Sequence, residues 1–184
     1  QLNDSRTDGN SDVNFPIRAQ GGTAEQINTL EDLKAFEVVI IGASGTYDAL
    51  VNIAPALRQW VEAGGGLVAS SPIISEASGT HSYAAPIADI DAIVPVNTSG
   101  YPDYQWTDSD LLITDSSHPV TQGVVNFSVM GTQSAAIDSG AVVLGTHDGR
   151  PVVVAATVGA GRSVYLGPSY AESSTGLADG NADR

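Results

Sequence analysis

The sequence contains no cysteine, one methionine and one lysine, Lys34. Without cysteine there is no disulfide, no thiolate zinc site and no thiol nucleophile. Bases are scarce in general: 7 Lys plus Arg stand against 21 Asp plus Glu, a net charge of −14. Such a surface repels a phosphate backbone, which excludes nucleic acid as a partner, and an anionic membrane surface is excluded on the same ground. Long apolar runs are also missing. The longest, such as Val38–Ile41 and Val152–Ala156, have strand length and fall well short of the ~20 residues that span a bilayer.

Apolar residues make up 42% of the 184, with a mean hydropathy of +0.02. That is too apolar for a disordered chain and long enough to bury a real core. An acidic, lysine-poor surface stays hydrated in a salty or calcium-containing medium, so an extracellular or cell-surface location is expected.

The order of elements is legible in outline. Asn3 to Asp12 is polar and turn-rich, and Val13 to Ala19 reads as an edge or bulged strand because of Pro16. Thr29 is placed to cap a short helix over Thr29 to Lys34, with Asp32 three residues on. Glu37 to Gly45 is an apolar, β-branched run closed by glycine, which predicts a strand buried on both faces. Tyr47 to Ala63 is the clearest helix, with Leu50, Ile53, Ala54, Leu57, Trp60 and Val61 on one side and Gly64–Gly66 ending it. GLVASS then forms a second strand. The middle, Pro72 to Asp110, is less regular, with a short helix over Ala85 to Ile93 and an aromatic loop at Tyr101–Trp106. In the last third, Ala141–Gly145, Pro151–Val158 and Arg162–Gly167 are joined by short glycine turns, His147-Asp148-Gly149 and Gly159-Ala160-Gly161, which predict antiparallel hairpins. The sheet is therefore expected to be mixed. The 184 residues read as a single domain, and both ends are expected to continue into a longer natural protein with flanking domains.

Three stretches resemble the class I glutamine amidotransferase-like superfamily and, within it, the ThuA-like (trehalose-utilisation) branch. LRQWVEAGGGLVAS (Leu57–Ser70) after the strand Phe36–Ile41 resembles the superfamily's helix, triple-glycine, strand step. SHPVTQGV (Ser117–Val124) and PVVVAATVGAGRSVYLG (Pro151–Gly167) resemble two ThuA-like segments. The resemblance implies an α/β, flavodoxin-like three-layer sandwich, its sheet parallel in the first half and antiparallel in the last third. It does not imply amidotransferase chemistry. The nucleophilic cysteine has no counterpart here, Ser70-Ser71-Pro72 standing in its place. Gly167-Pro168 replaces the Gly-His that follows the late strand in ThuA-like members.

The candidate sites follow from this layout. Ser70 and Ser71 end a parallel strand, at the edge where open α/β sheets bind ligands. Either is a nucleophile only if an imidazole reaches it. His81, in a Ser/Gly/Thr loop, and His118, before Pro119, are the candidates, although His118 is expected to order its own turn. His147 sits in a hairpin turn and is expected to be exposed to solvent. Gly42, Ser44 and Gly45 follow the first buried strand and can line a small-molecule cleft with Ser70 and Ser71. They lack the lysine and the third glycine of phosphate-binding loops, and no organic cofactor is implied. The sequence D-G-N-x-D at Asp8, Asn10 and Asp12, repeated at Asp179–Asp183, offers alternating oxygens for calcium, although ordinary turn chemistry accounts for it equally. Tyr101, Tyr104 and Trp106, with Asp103, can stack on a sugar or close one end of the core.

Two functions remain open on sequence alone. One is a non-catalytic module of a larger bacterial protein that contacts carbohydrate or another protein, the flanking domains of its own polypeptide included. The other is a hydrolase acting on a sugar derivative or an amide through Ser70 or Ser71.

Overall fold

In the first half of the chain, the apolar spacing over Tyr47–Glu62 yields a helix (α2) that buries Leu50, Ala54, Leu57, Trp60 and Val61. The computed structural model describes residues 27–41, 47–80 and 84–168. The expected strand Val13–Ala19 and both D-G-N-x-D segments lie outside these residues. Before α2 come a one-turn helix, Leu30–Leu33 (α1), and the strand Val38–Ile41 (β1). Thr29 caps α1 as its spacing to Asp32 predicts. The Asp32 backbone N–H donates to Thr29 Oγ1, and the Thr29 backbone N–H donates to the Asp32 carboxylate at 3.1 Å. Gly66–Ser70 (β2) pairs parallel with β1. Two short helices follow, Ile73–Ala77 (α3) and Ala88–Asp91 (α4).

The second half consists of strands: Asp103–Ile113 (β3), Phe127–Ser134 (β4), Val142–His147 (β5), Arg150–Val158 (β6) and Gly161–Leu166 (β7). All seven strands form one sheet in the order β1-β2-β7-β6-β5-β3-β4. β7 pairs parallel with β2 and antiparallel with β6, so it joins the parallel half to the antiparallel half. This is the expected mixed α/β sheet, consistent with a flavodoxin-like sandwich. Along β7 the pleat sends Tyr165 to one face, into a core shared with α2, α3 and α4, and sends Val164 and Leu166 to the other. That second cluster is made of strand residues, among them Leu111, Leu144 and Val153, because the sheet curls around it.

Two expectations need correction. β1 is not buried on both faces: Val39 and Ile41 pack against the core, whereas Val38 and Ile40, on the other side of the pleat, are 52% and 38% exposed; among the described residues β1 pairs only with β2. Tyr104 and Trp106 are not in a loop but in β3, whose backbone pairs with β4 from Asp103 to Leu111. A bulge between Gln105 and Asp108 shifts the register of that pairing, and the Trp106 ring lies over Gly131 of β4, where a Cβ would stand 3.0 Å from it. Among the described residues no helix is long and apolar enough to cross a membrane.

Candidate functional site

The parallel strands end at the edge where Ser70 and Ser71 were expected to line a cleft. Both serines are buried, at 4% and 3% exposure. The Ser70 hydroxyl donates to the Ile41 carbonyl at 3.2 Å, and the Ser71 backbone N–H donates to the Leu166 carbonyl at 2.7 Å. These bonds tie β2 to its two parallel neighbours. Gly42, Ser44, Gly45 and His81 lie outside the described residues, as do Asp8, Asn10 and Asp12. His118 lies on the connection from β3 to β4. Because β7, β6, β5 and β3 alternate in direction, that connection leaves the sheet at the edge opposite Ser70. The His118 Nδ1 accepts from the Val120 N–H at 3.2 Å, ordering its own turn as expected.

The edge at Ser70 is crossed by an arm formed from the first part of β3 and the last part of β4. The Gln133 N–H donates to the Gly167 carbonyl at 2.9 Å, and Thr132 bridges to Pro168. The Gln133 side chain donates to Ser75 Oγ at 3.0 Å, and Ser75 shares a 2.6 Å hydrogen bond with the Tyr104 hydroxyl. The Tyr165 hydroxyl donates to the Gln133 carbonyl at 2.9 Å; burial, and after it the neighbouring Tyr104, push its pKa far up. Gln133 Oε1 and Ser163 Oγ are left buried without a partner.

His147 overturns the expectation of an exposed turn histidine, since it has no exposed surface. The turn belongs to Asp148 (φ 48°) and Gly149 (φ 76°), the left-handed pair that a two-residue hairpin requires. β5 runs one residue further than the turn signal indicates, so the imidazole enters the space enclosed by the arm. Its Nε2 lies 2.7 Å from Ser109 Oγ and its Nδ1 2.9 Å from Thr132 Oγ1. Serine, histidine and aspartate therefore meet, but not in the order of a nucleophilic triad, where the imidazole stands between hydroxyl and carboxylate. Here the Ser109 hydroxyl is in the middle and donates its proton to Asp148 at 2.8 Å. Nε2–H then donates to Ser109, and the Thr132 hydroxyl donates to Nδ1. This wiring gives Ser109 no imidazole base and clamps β3, β4 and β5 together. The Ser109 hydroxyl, and after it that of Thr107, hold the Asp148 carboxyl below the usual range.

Where the arm leaves the sheet, a groove of about 430 Å3 opens among Asn97, Tyr101, Asp103, Ser134, Arg150 and Pro151, with Ala135 and Ala136 behind. Asp103 begins β3, Arg150 begins β6 and Ser134 ends β4, so strand ends at one edge supply the polar groups. Arg150 Nε donates to Asp103 Oδ2 at 2.5 Å. Tyr101 is 67% exposed and meets Tyr104 edge-on with centroids 6.0 Å apart, and Tyr104 stacks on Trp106 at 6.1 Å and 3°. Tyr101 and Asp103 were legible as a sugar-stacking possibility. Arg150 was not, because 47 residues separate it from Asp103. Among the described residues no group of three or more histidine and acidic side chains is placed to hold a metal ion.

The fold defines a class before any relative does: a mixed α/β sheet with helices packed on it. No protein-family model matches the chain, and no curated protein matches it. Solved structures do. The cytoplasmic protein STM3548 of Salmonella typhimurium is similar at 15% identity and a TM-score of 0.64, over 79% of this chain and 68% of that one. STM1381 of the same species is similar at 16% identity and 0.63, over 77% of this chain and 64% of that one. The exo-β-1,4-mannosidase Op5Man5 of an Opitutaceae bacterium is similar at 20% and 0.51, over 75% of this chain but only 21% of the enzyme. A thua-like protein of Bacteroides uniformis is similar at 17%, with a TM-score of 0.49, over 85% of this chain and 68% of that one. The chain thus spans just under two thirds of STM1381 and about a fifth of the mannosidase. At these identities the likeness is one of fold, and the wider amidotransferase-like assignment rests on the sequence motifs.

Proposed function

We propose that this chain is a non-catalytic, carbohydrate-binding module of a larger bacterial protein that works outside the cell or at its surface. One observation carries the reading: an aromatic ring with most of its surface in water stands at a groove beside a carboxylate–guanidinium pair. Exposed tyrosine offers an apolar face and a polar tip at little conformational cost, and Asp103, Arg150 and Asn97 supply donors and acceptors around it. The similarity to about a fifth of a mannosidase supports a module that forms one part of a longer chain. The acidic, lysine-poor composition supports the exterior location. A hydrolase built on Ser70 or Ser71 has less support, because the Ser70 hydroxyl is committed to a backbone carbonyl and His118 stands at the opposite edge.

The test is titration of mannan, galactan, xylan and cellulose oligosaccharides into the wild type and into Tyr101→Ala. At least one should bind the wild type without being hydrolysed. Tyr101→Ala should weaken that binding about tenfold with no change in melting temperature, since the ring covers little core. Turnover of any of these substrates, or equal binding by the variant, would overturn the reading.

A further inference from the structure

We infer that the groove selects neutral sugar residues and reads two adjacent hydroxyls through the Asp103–Arg150 pair, which rests on and deepens the carbohydrate reading. The pair joins through Arg150 Nε, so both terminal guanidinium nitrogens remain as donors. Asp103 Oδ1 accepts from Gln105 Nε2 at 3.2 Å, and Oδ2 accepts from Arg150. A carboxylate has about four acceptor directions, so two remain. Donor and acceptor therefore lie side by side. A sugar hydroxyl is both donor and acceptor, so neighbouring hydroxyls on one ring match this unit, one giving a proton to Asp103 and the other taking one from Arg150.

The charge balance decides between a neutral sugar and a uronate. A lone arginine beside an exposed tyrosine would favour a carboxylated sugar. Arg150, however, is already neutralised by Asp103, and Asp148, two residues before it, couples electrostatically to it as a second negative charge. The immediate surroundings are thus net negative, within a chain of net charge −14. A uronate would meet repulsion at the groove and along its approach, whereas a neutral ring loses nothing. Asn97 lines the same groove, and its Oδ1 accepts from the Ser99 N–H and hydroxyl at 3.0 and 2.9 Å, which leaves its amide NH2 as a further donor.

The experiment is calorimetric titration of neutral mannan and galactan oligosaccharides and of polygalacturonate, at low and high salt, into the wild type, Asp103→Asn and Arg150→Lys. The last keeps the cation and loses the planar fork. Neutral oligosaccharides should bind the wild type with little dependence on salt, and polygalacturonate at least about tenfold more weakly. Each variant should bind the neutral ligand about tenfold more weakly or worse, with the wild-type melting temperature as the control for folding. Tight, salt-sensitive binding of polygalacturonate, or neutral binding untouched in both variants, overturns this inference and leaves the carbohydrate reading standing. Absence of binding to every polysaccharide overturns both.

Discussion

Removing the His147 imidazole strands the Thr132 hydroxyl in a space from which solvent is excluded and leaves a ring-sized void among three strands. His147→Ala is expected to cost roughly 3 kcal/mol, from cavity and lost hydrogen bonds together. In a chain of this size that lowers the melting temperature by roughly 10 °C, and a drop of only a degree or two in a thermal melt would show that the clamp is not structural. Asp138 behaves in the opposite sense. Burial, and after it the Asp91 carboxylate, raise its carboxyl above the ordinary 3.8. The folded state then holds the proton more tightly than the unfolded chain. Its contribution to stability is complete below pH 3.8 and is lost as pH rises through the raised native value. Asp138→Asn is therefore expected to melt higher than wild type near pH 7 and to show no advantage near pH 3; an equal gain at both would refute the assignment. The position of Asp138 was not legible in the sequence. Its neighbour in the charge balance, Asp91, is 47 residues away, and only the bridge between Val96 and Ile137 brings their segments together.

At the scale of elements, the helix α2 and its glycine stop show how far local sequence reaches. The apolar stripe from Leu50 to Val61 specifies which side of α2 is buried before any partner is known. What the stripe does not reveal is why Gly65 must be glycine. A Cβ there would meet the buried Trp60 ring at 2.5 Å. Gly65→Ala should destabilise by about 1–3 kcal/mol through overpacking, measured by denaturant unfolding, and a neutral effect would mean that Trp60 yields easily. The hairpins of the last third were also legible, because apolar runs joined by glycine turns leave little choice of partner. β3 and β4 were not. Tyr101–Asp110 carries acids, a proline and one brief alternation at Tyr104 and Trp106, and FSVMGTQS is half polar with a glycine inside. Strand preference depends on the neighbouring strand, and for these two segments the pairing with each other supplies what local composition lacks.

For the whole molecule, 21 acids against 7 bases make self-repulsion a standing cost of the compact state. Among the described residues the ion pairs are few and exposed, as at Lys34–Glu31 and Arg58–Glu62, and such pairs offset little of it. Screening should therefore stabilise the fold. The melting temperature is expected to rise between low ionic strength and about 0.5 M salt, where the Debye length falls to a few ångströms, and a fall over that range would show that attraction between charges outweighs the net repulsion. By itself the sequence determined the class of fold, the parallel opening and antiparallel close of the sheet, and the absence of thiol chemistry, because periodicity, glycine turns and composition are local properties. The tertiary structure alone decided that β3 and β4 curl across the strand ends. That curl lays Gln133 against Gly167, encloses His147, and brings Asp103 against Arg150 at the mouth of the groove. Contacts between residues far apart in the chain depend on strand order, and strand order is set by the packing of the entire sheet.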